Sequence, residues 1–155
     1  MTNGVISDEL LNQSILFARF AAAAYTDSDA KLQTGLDKVR NEKRLNEDNS
    51  PNKTDTQAML CRWNNDVVIA FRGTEEKLSD WWTDLKGEVV ANTFGVGRVH
   101  KGFKEASDSI YKYLVHDVKD IAIDNSRLFV CGHSLGGALA LLTLQRTFRN
   151  FRRVL

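Results

Sequence analysis

The sequence predicts an α/β fold with parallel strands. Two short runs, "VVIAF" (67–71) and "LFVC" (128–131), are apolar at every position, as strands buried on both faces are. Helical spacing accompanies them. Phe103, Ala106, Ile110, Tyr113, Leu114, Val118 and Ile121 fall on one helical face, and the chain from Leu135 to about Phe148 is mostly apolar. From residue 66 onward the order is strand, helix, helix, strand, helix, which calls for crossover connections between parallel strands. With 155 residues, 43% hydrophobic and 26% charged, the chain can build one globular domain with its own core. A net charge of +1 argues against a dedicated nucleic-acid binder.

The remaining elements follow in chain order. Ser7 is placed to cap a helix that runs to about Tyr25, with Leu10, Leu11, Ile15, Ala18, Ala22 and Tyr25 as its apolar face. Residues 28–56 change character: "DKVRNEKRLNEDNSPNKTD" is highly charged, holds the only proline, and reads as a mobile polar insertion with a weak helix over Leu32, Leu36 and Val39. "QAMLCRW" and "DVVIAFRG" flank "NND" and predict a hairpin. Residues 75–86 read as a helix on which Leu78, Trp81, Trp82 and Leu85 form one stripe. "GVGRVHKG" reads as a glycine-punctuated connection and "RLFVCG" as a second fully buried strand. Cys61 and Cys131 lie in apolar runs and read as buried, reduced thiols. At the far end Leu144, Phe148, Phe151 and Leu155 continue a helical stripe beside Arg146, Arg149, Arg152 and Arg153; solvated arginines on a finishing helix are preferred to a membrane-lying tail. No run has the length of a bilayer span and no signal peptide is visible, so the cytoplasm is the default expectation.

Chemistry concentrates at "VCGHSLGGALA". Gly132-His133-Ser134-Leu135-Gly136 fits G-x-S-x-G between an apolar strand and an apolar helix, the context of a nucleophile elbow. The serine sits on a sharp strand-to-helix turn. Side chains two residues before or after it would collide with the neighbouring strand and helix, which is why both positions are glycine. The following helix aims its N-terminal N–H groups and positive dipole end at the reacting centre. His133 is adjacent to Ser134, but neighbours on a tight turn point apart, so it reads as a buried, hydrogen-bonded structural histidine. His116 reads as a solvated position on an amphipathic helix. The three histidines and two cysteines show no metal-ligand spacing, there is no phosphate loop, and no cofactor or metal is expected.

"FRGTEEKLSDWWTDL", "RVHKGFKEA" and "CGHSLGGALA", preceded by "AAAAYTD" and "DTQAMLCRW", stand in the order and at about the spacing found in class 3, fungal-type triacylglycerol lipases. The resemblance covers roughly residues 14–27 and 55–148 and implies the α/β-hydrolase fold and hydrolysis of carboxylic esters, often of lipids. Residue by residue, it implies Ser134 as nucleophile, the backbone N–H of Leu135 as one oxyanion-hole donor and Thr74, closing "FRGT", as the other. It implies that the stripe of Leu78, Trp81, Trp82 and Leu85 is a lid over the site; the stripe by itself fits a core-packed surface helix equally well. His100, in "VHKG", is not the family's catalytic base.

One part of the machinery is missing from the expected place. In α/β hydrolases the acid and then the histidine follow the serine. Residues 135–155, "LGGALALLTLQRTFRNFRRVL", contain no Asp, Glu or His. The sequence therefore reads as a single incomplete lipase-like domain over 1–155, truncated after the elbow helix, with little activity alone. The expected partner is a lipid or other hydrophobic ester, with transient lipid-surface contact; no oligomeric state is implied. The alternative is a non-catalytic lipid- or protein-binding remnant that uses the Trp81/Trp82 stripe and the basic tail.

Overall fold

A computed structural model of the chain describes residues 7–26, 39–46, 56–73, 88–93, 95 and 97–151. Helix α1 (Asp8–Ala23) starts where expected: the Leu10 N–H donates to the Ser7 side-chain oxygen at 3.2 Å, and Asp8 and Glu9 complement the dipole in the first turn. Its buried face differs from the expected one. Leu10, Leu11 and Ile15 are about half exposed and Ala18 and Ala22 face solvent, whereas Phe20, Ala21 and Ala23 are buried and Leu16 and Phe17 pack beside them. "ILFARFAAAA" is apolar nearly all round, so spacing does not choose the stripe. The aromatic pair decides it, with Phe17 5.0 Å from Phe129 and Phe20 edge-on to Trp63 at 6.2 Å between centroids.

The main sheet has four strands in the order β1 (Val39–Asn46), β2 (Gln57–Trp63), β3 (Asp66–Phe71) and β6 (Leu128–Gly132). Over 39–46 the expected mobile insertion is instead strand β1: Val39, expected on a weak helix, opens a strand that pairs antiparallel with β2, with a register shift between Arg40 and Lys43. Leu32 and Leu36 lie outside the described residues. The charges that made the segment look like a loop suit an edge strand, where they discourage further pairing. The predicted hairpin is present: β2 and β3 pair antiparallel around Asn64-Asn65, with Asn64 at φ 54°, a conformation asparagine tolerates.

Strand β3 is buried at all six positions because its alternate residues serve two cores. Val67, Ile69 and Phe71 join Leu60, Ile110, Leu114 and Leu139 on one face; Val68 and Ala70 join Phe20, Met59 and Cys61 on the other. Strand β6 runs parallel to β3, from Val67 opposite Leu128 to Phe71 opposite Gly132. It is half-buried throughout rather than fully buried, because among the described residues it has a strand on one side only. Its entry is fixed by Asp66, whose carboxylate accepts from the Arg127 backbone N–H, Nε and Nη2 at 3.1, 3.0 and 2.7 Å.

Between β3 and β6 the chain forms a two-stranded antiparallel ribbon, β4 (Val89–Ala91) and β5 (Arg98–His100), and then helix α2 (Lys101–Ile121). The expected glycine-punctuated connection thus contains a strand and a cap: the Gly102 N–H donates to His100 Nδ1 at 3.2 Å. Helix α2 buries Ala106, Ser107, Ile110, Tyr111, Leu114 and Ile121; Tyr113, expected on that face, is half exposed with Lys112 Nζ 4.7 Å from its ring centre. Helix α3 (Leu135–Phe151) lies on the same sheet face as α2, while α1 covers the other. Asp108 joins the two helices, accepting from Lys104 Nζ at 2.6 Å and Arg146 Nη1 at 2.8 Å. The Arg146 guanidinium also lies 3.9 Å from the Tyr111 ring centre, so this arginine is docked and not solvated. The side chains of Arg149, Arg152 and Arg153 lie outside the description.

Candidate active site

The site is assembled where β6 ends and α3 begins. Ser134 has φ 55°, a left-handed conformation that costs a residue with a Cβ on the order of 1 kcal/mol or more. It is exposed, standing clear of the sheet, and α3 starts at the next residue. The two glycines have no substitute. A Cβ on Gly132 would lie 2.3 Å from the Gly136 carbonyl oxygen, and one on Gly136 would lie 2.4 Å from the Phe71 carbonyl oxygen. The pattern in the sequence is therefore a packing requirement: strand, turn and helix approach too closely for any side chain at either position.

The N–H groups behind Ser134 are arranged as a helix start. Gly136 N–H donates to the His133 carbonyl and Gly137 N–H to the Ser134 carbonyl, both at 2.9 Å. The Leu135 N–H, first in α3, is one of the end donors that a helix leaves without an acceptor in its own turn. It is the group assigned to the oxyanion hole. The other assigned donor, Thr74, and the whole stripe of Leu78, Trp81, Trp82 and Leu85 lie outside the described residues. Gly73, the residue before Thr74, is described and touches the elbow: a Cβ there would be 2.6 Å from the His133 carbonyl oxygen and 3.3 Å from Ser134 Cβ. The parallel pairing of β3 with β6 thus delivers the end of "FRG" beside Ser134.

Tyr25, taken from the sequence as an apolar residue of α1, belongs to the site. Its hydroxyl accepts from the Gly73 N–H at 3.0 Å and lies 3.1 Å from His133 Nδ1. The Arg72 guanidinium lies over its ring, 5.5 Å from the centroid, and is held there by Gln57 Oε1 at 2.6 Å from Nη1. Helical spacing places the ring but says nothing of the hydroxyl; the signals were the phenol itself, which seeks a partner when its ring is buried, and its place in the family-like "AAAAYTD". His133 is hydrogen-bonded as expected but exposed, not buried. It points to Tyr25 and leaves Ser134 without a base from this neighbour.

Among the described residues, the two cysteines and the other two histidines have other roles. Burial pushes the Cys131 thiol up to about 12, so it stays protonated and inert at neutral pH; Cys61 is fully buried, and no disulfide joins the two. His100 is occupied in capping α2. His116 is exposed on α2, 3.5 and 3.4 Å from carboxylate oxygens of Asp117 and Asp120, a solvated helix-surface cluster.

Comparison with known proteins agrees with this geometry. The family model for lipase (class 3) matches residues 68–153, from the interior of β3 through α3. A lipase of Rhizomucor miehei is 37% identical over 93 residues, 57% of this chain and 25% of that protein. Among solved structures, a lipase from Rhizopus microsporus var. chinensis superposes with a TM-score of 0.76 at 24% identity, over 96% of this chain and 54% of its own. A triacylglycerol lipase whose catalytic centre is a serine protease triad superposes with a TM-score of 0.72 at 23% identity, over 94% and 58%. The chain therefore spans about a quarter of the curated relative and little more than half of these solved structures. The neighbours carry the α/β-hydrolase fold, and the elbow, the close-packed glycines and the matched family model agree: the chain belongs to the class 3 lipases.

Proposed function

We propose that this chain contributes the nucleophile half of a serine esterase site that hydrolyses hydrophobic carboxylic esters, lipid esters among them, through an acyl-serine. Ser134 Oγ attacks the ester carbonyl, and the negative charge that develops on the former carbonyl oxygen is met by the Leu135 N–H and by Thr74. Fixed donors of this kind are each worth about 100- to 1,000-fold in rate. A histidine oriented by an acid takes the hydroxyl proton and returns it to the leaving alcohol. Residues 135–155 supply neither group, and His133 is turned toward Tyr25, so the 155-residue chain alone turns over little ester. The lid role of Leu78, Trp81, Trp82 and Leu85 rests on the family resemblance alone and is part of this proposal: such a stripe would meet lipid when the site opens.

The observation that carries this reading is Ser134 at φ 55° between two glycines that have no room for a Cβ. Nothing in core packing alone rewards a strained, exposed serine. Prolonged incubation with a fluorophosphonate, followed by peptide mass spectrometry, tests it. The expected result is slow formation of one adduct on Ser134, absent in Ser134→Ala. An adduct elsewhere, or none on a folded chain, contradicts the assignment.

A further inference from the structure

The proposed site needs its two oxyanion donors, one at the end of β3 and one at the start of α3, to keep a fixed separation. These segments meet near Gly73, where a Cβ would touch the Tyr25 hydroxyl at 2.4 Å and the His133 carbonyl at 2.6 Å. Three separate stretches of chain converge on one phenol oxygen: α1 through Tyr25, the β3 exit through Gly73, and the elbow through His133. We propose that Tyr25 is a positioning residue that sets the β3 exit at Gly73 against the nucleophile elbow through a hydrogen-bond relay running from the Gly73 N–H through the Tyr25 hydroxyl to His133 Nδ1. This deepens the assignment of Ser134 and Thr74 and rests on it.

The relay has a direction. An amide N–H only donates, so the Tyr25 oxygen accepts from Gly73 at 3.0 Å. The phenol proton is then free to go to His133 Nδ1 at 3.1 Å, which requires that nitrogen to be unprotonated and puts the imidazole proton on Nε2. Two consequences follow. The Gly73 N–H is committed to Tyr25, which fixes the Arg72–Gly73 peptide plane and removes that amide from the donors open to a bound oxyanion. The His133 ring is committed as an acceptor toward α1, which explains a histidine beside the nucleophile that takes no part as its base. Arg72, bonded to Gln57, lies over the tyrosine ring and packs against its face.

Nitrogen NMR of the folded 155-residue chain tests the relay without needing catalysis. In the wild type, His133 is expected as the Nε2–H tautomer and the Gly73 amide to exchange slowly. Tyr25→Phe keeps the ring and its packing; it should shift His133 toward a tautomer mixture and speed Gly73 exchange at least tenfold. His133→Ala, an exposed substitution, should move the Gly73 amide in the same sense but less, because the hydroxyl loses the acceptor that orients it. Binding of 4-fluorophenylboronic acid, followed by its fluorine signal, reads the positioning. Boron forms a bond to Ser134 Oγ, the hydroxyl proton leaves to solvent, and the tetrahedral boronate anion places an oxygen in the hole. Tyr25→Phe should weaken this adduct about tenfold. An unchanged Gly73 amide and His133 tautomer in Tyr25→Phe overturns the relay; changed spectra with unchanged boronate affinity overturn the positioning role. Failure of the wild type to form any Ser134 adduct contradicts the nucleophile assignment instead, and the spectra then decide the relay separately.

Discussion

Ser134 concentrates the conflict between stability and chemistry in a single residue. Its φ of 55° suits glycine, so Ser134→Gly should stabilise the chain by about 1 kcal/mol while removing the proposed nucleophile, and Ser134→Ala should give no such gain. Urea unfolding midpoints of the three proteins check this. The opposite holds two residues on. Gly136→Ala drives a methyl to 2.4 Å from the Phe71 carbonyl oxygen and should cost roughly 1–3 kcal/mol, since backbone on both sides must move. A Gly136→Ala chain with an unchanged midpoint would show that the elbow is looser than described.

These residue-scale features were legible in the sequence because they are local. G-x-S-x-G encodes a turn whose sterics involve five consecutive residues and the strand alongside. Tyr25 was not legible as a site residue, because its partner His133 is 108 positions away and only the folded sheet brings α1 over the elbow. Arg146 was misread for the same reason: its partners Asp108 and Tyr111 lie on another helix.

Among the elements, the two strands of continuous apolar sequence were the most secure, and their difference in burial shows what sequence omits. "VVIAF" and "LFVC" look alike, yet β3 has strands on both sides and β6, among the described residues, on one. Position in the sheet is a property of pairing, not of composition. Strand β1 escaped notice because its residues are charged, which is how an edge strand differs from a buried one.

The β3–β6 pair also carries an acid-sensitive tie. Hydrogen bonds from the Arg127 side chain hold the Asp66 carboxyl below the usual carboxylate range, helped by the Arg127 backbone N–H and charge, against the opposing pull of burial. A carboxyl depressed on folding stabilises the fold above its unfolded value, about 3.9, and that contribution is lost as pH falls through the lower folded value. Asp66→Asn should therefore lower the unfolding midpoint near neutral pH and flatten its fall below about pH 4. Thermal midpoints between neutral and acid pH measure it; equal pH slopes in both proteins would contradict the tie.

For the whole molecule, the fold separates scaffold from chemistry. One sheet, covered by α1 on one face and α2 and α3 on the other, fixes the elbow, the end of β3 and Tyr25 in one place. The proposal that the Leu78/Trp81/Trp82/Leu85 stripe meets lipid belongs to this scale. Co-sedimentation with anionic liposomes should fall several-fold in Trp81→Ala/Trp82→Ala if the stripe meets the membrane surface. Equal binding by both proteins would assign those tryptophans to packing.

The central proposal is that Ser134 is the nucleophile of an esterase site whose acid and base residues 135–155 do not supply. Hydrolysis of a short-chain chromogenic ester by the 155-residue chain, compared with Ser134→Ala, tests this most directly. The account predicts turnover close to the Ser134→Ala background, and robust Ser134-dependent hydrolysis by this chain alone would contradict it.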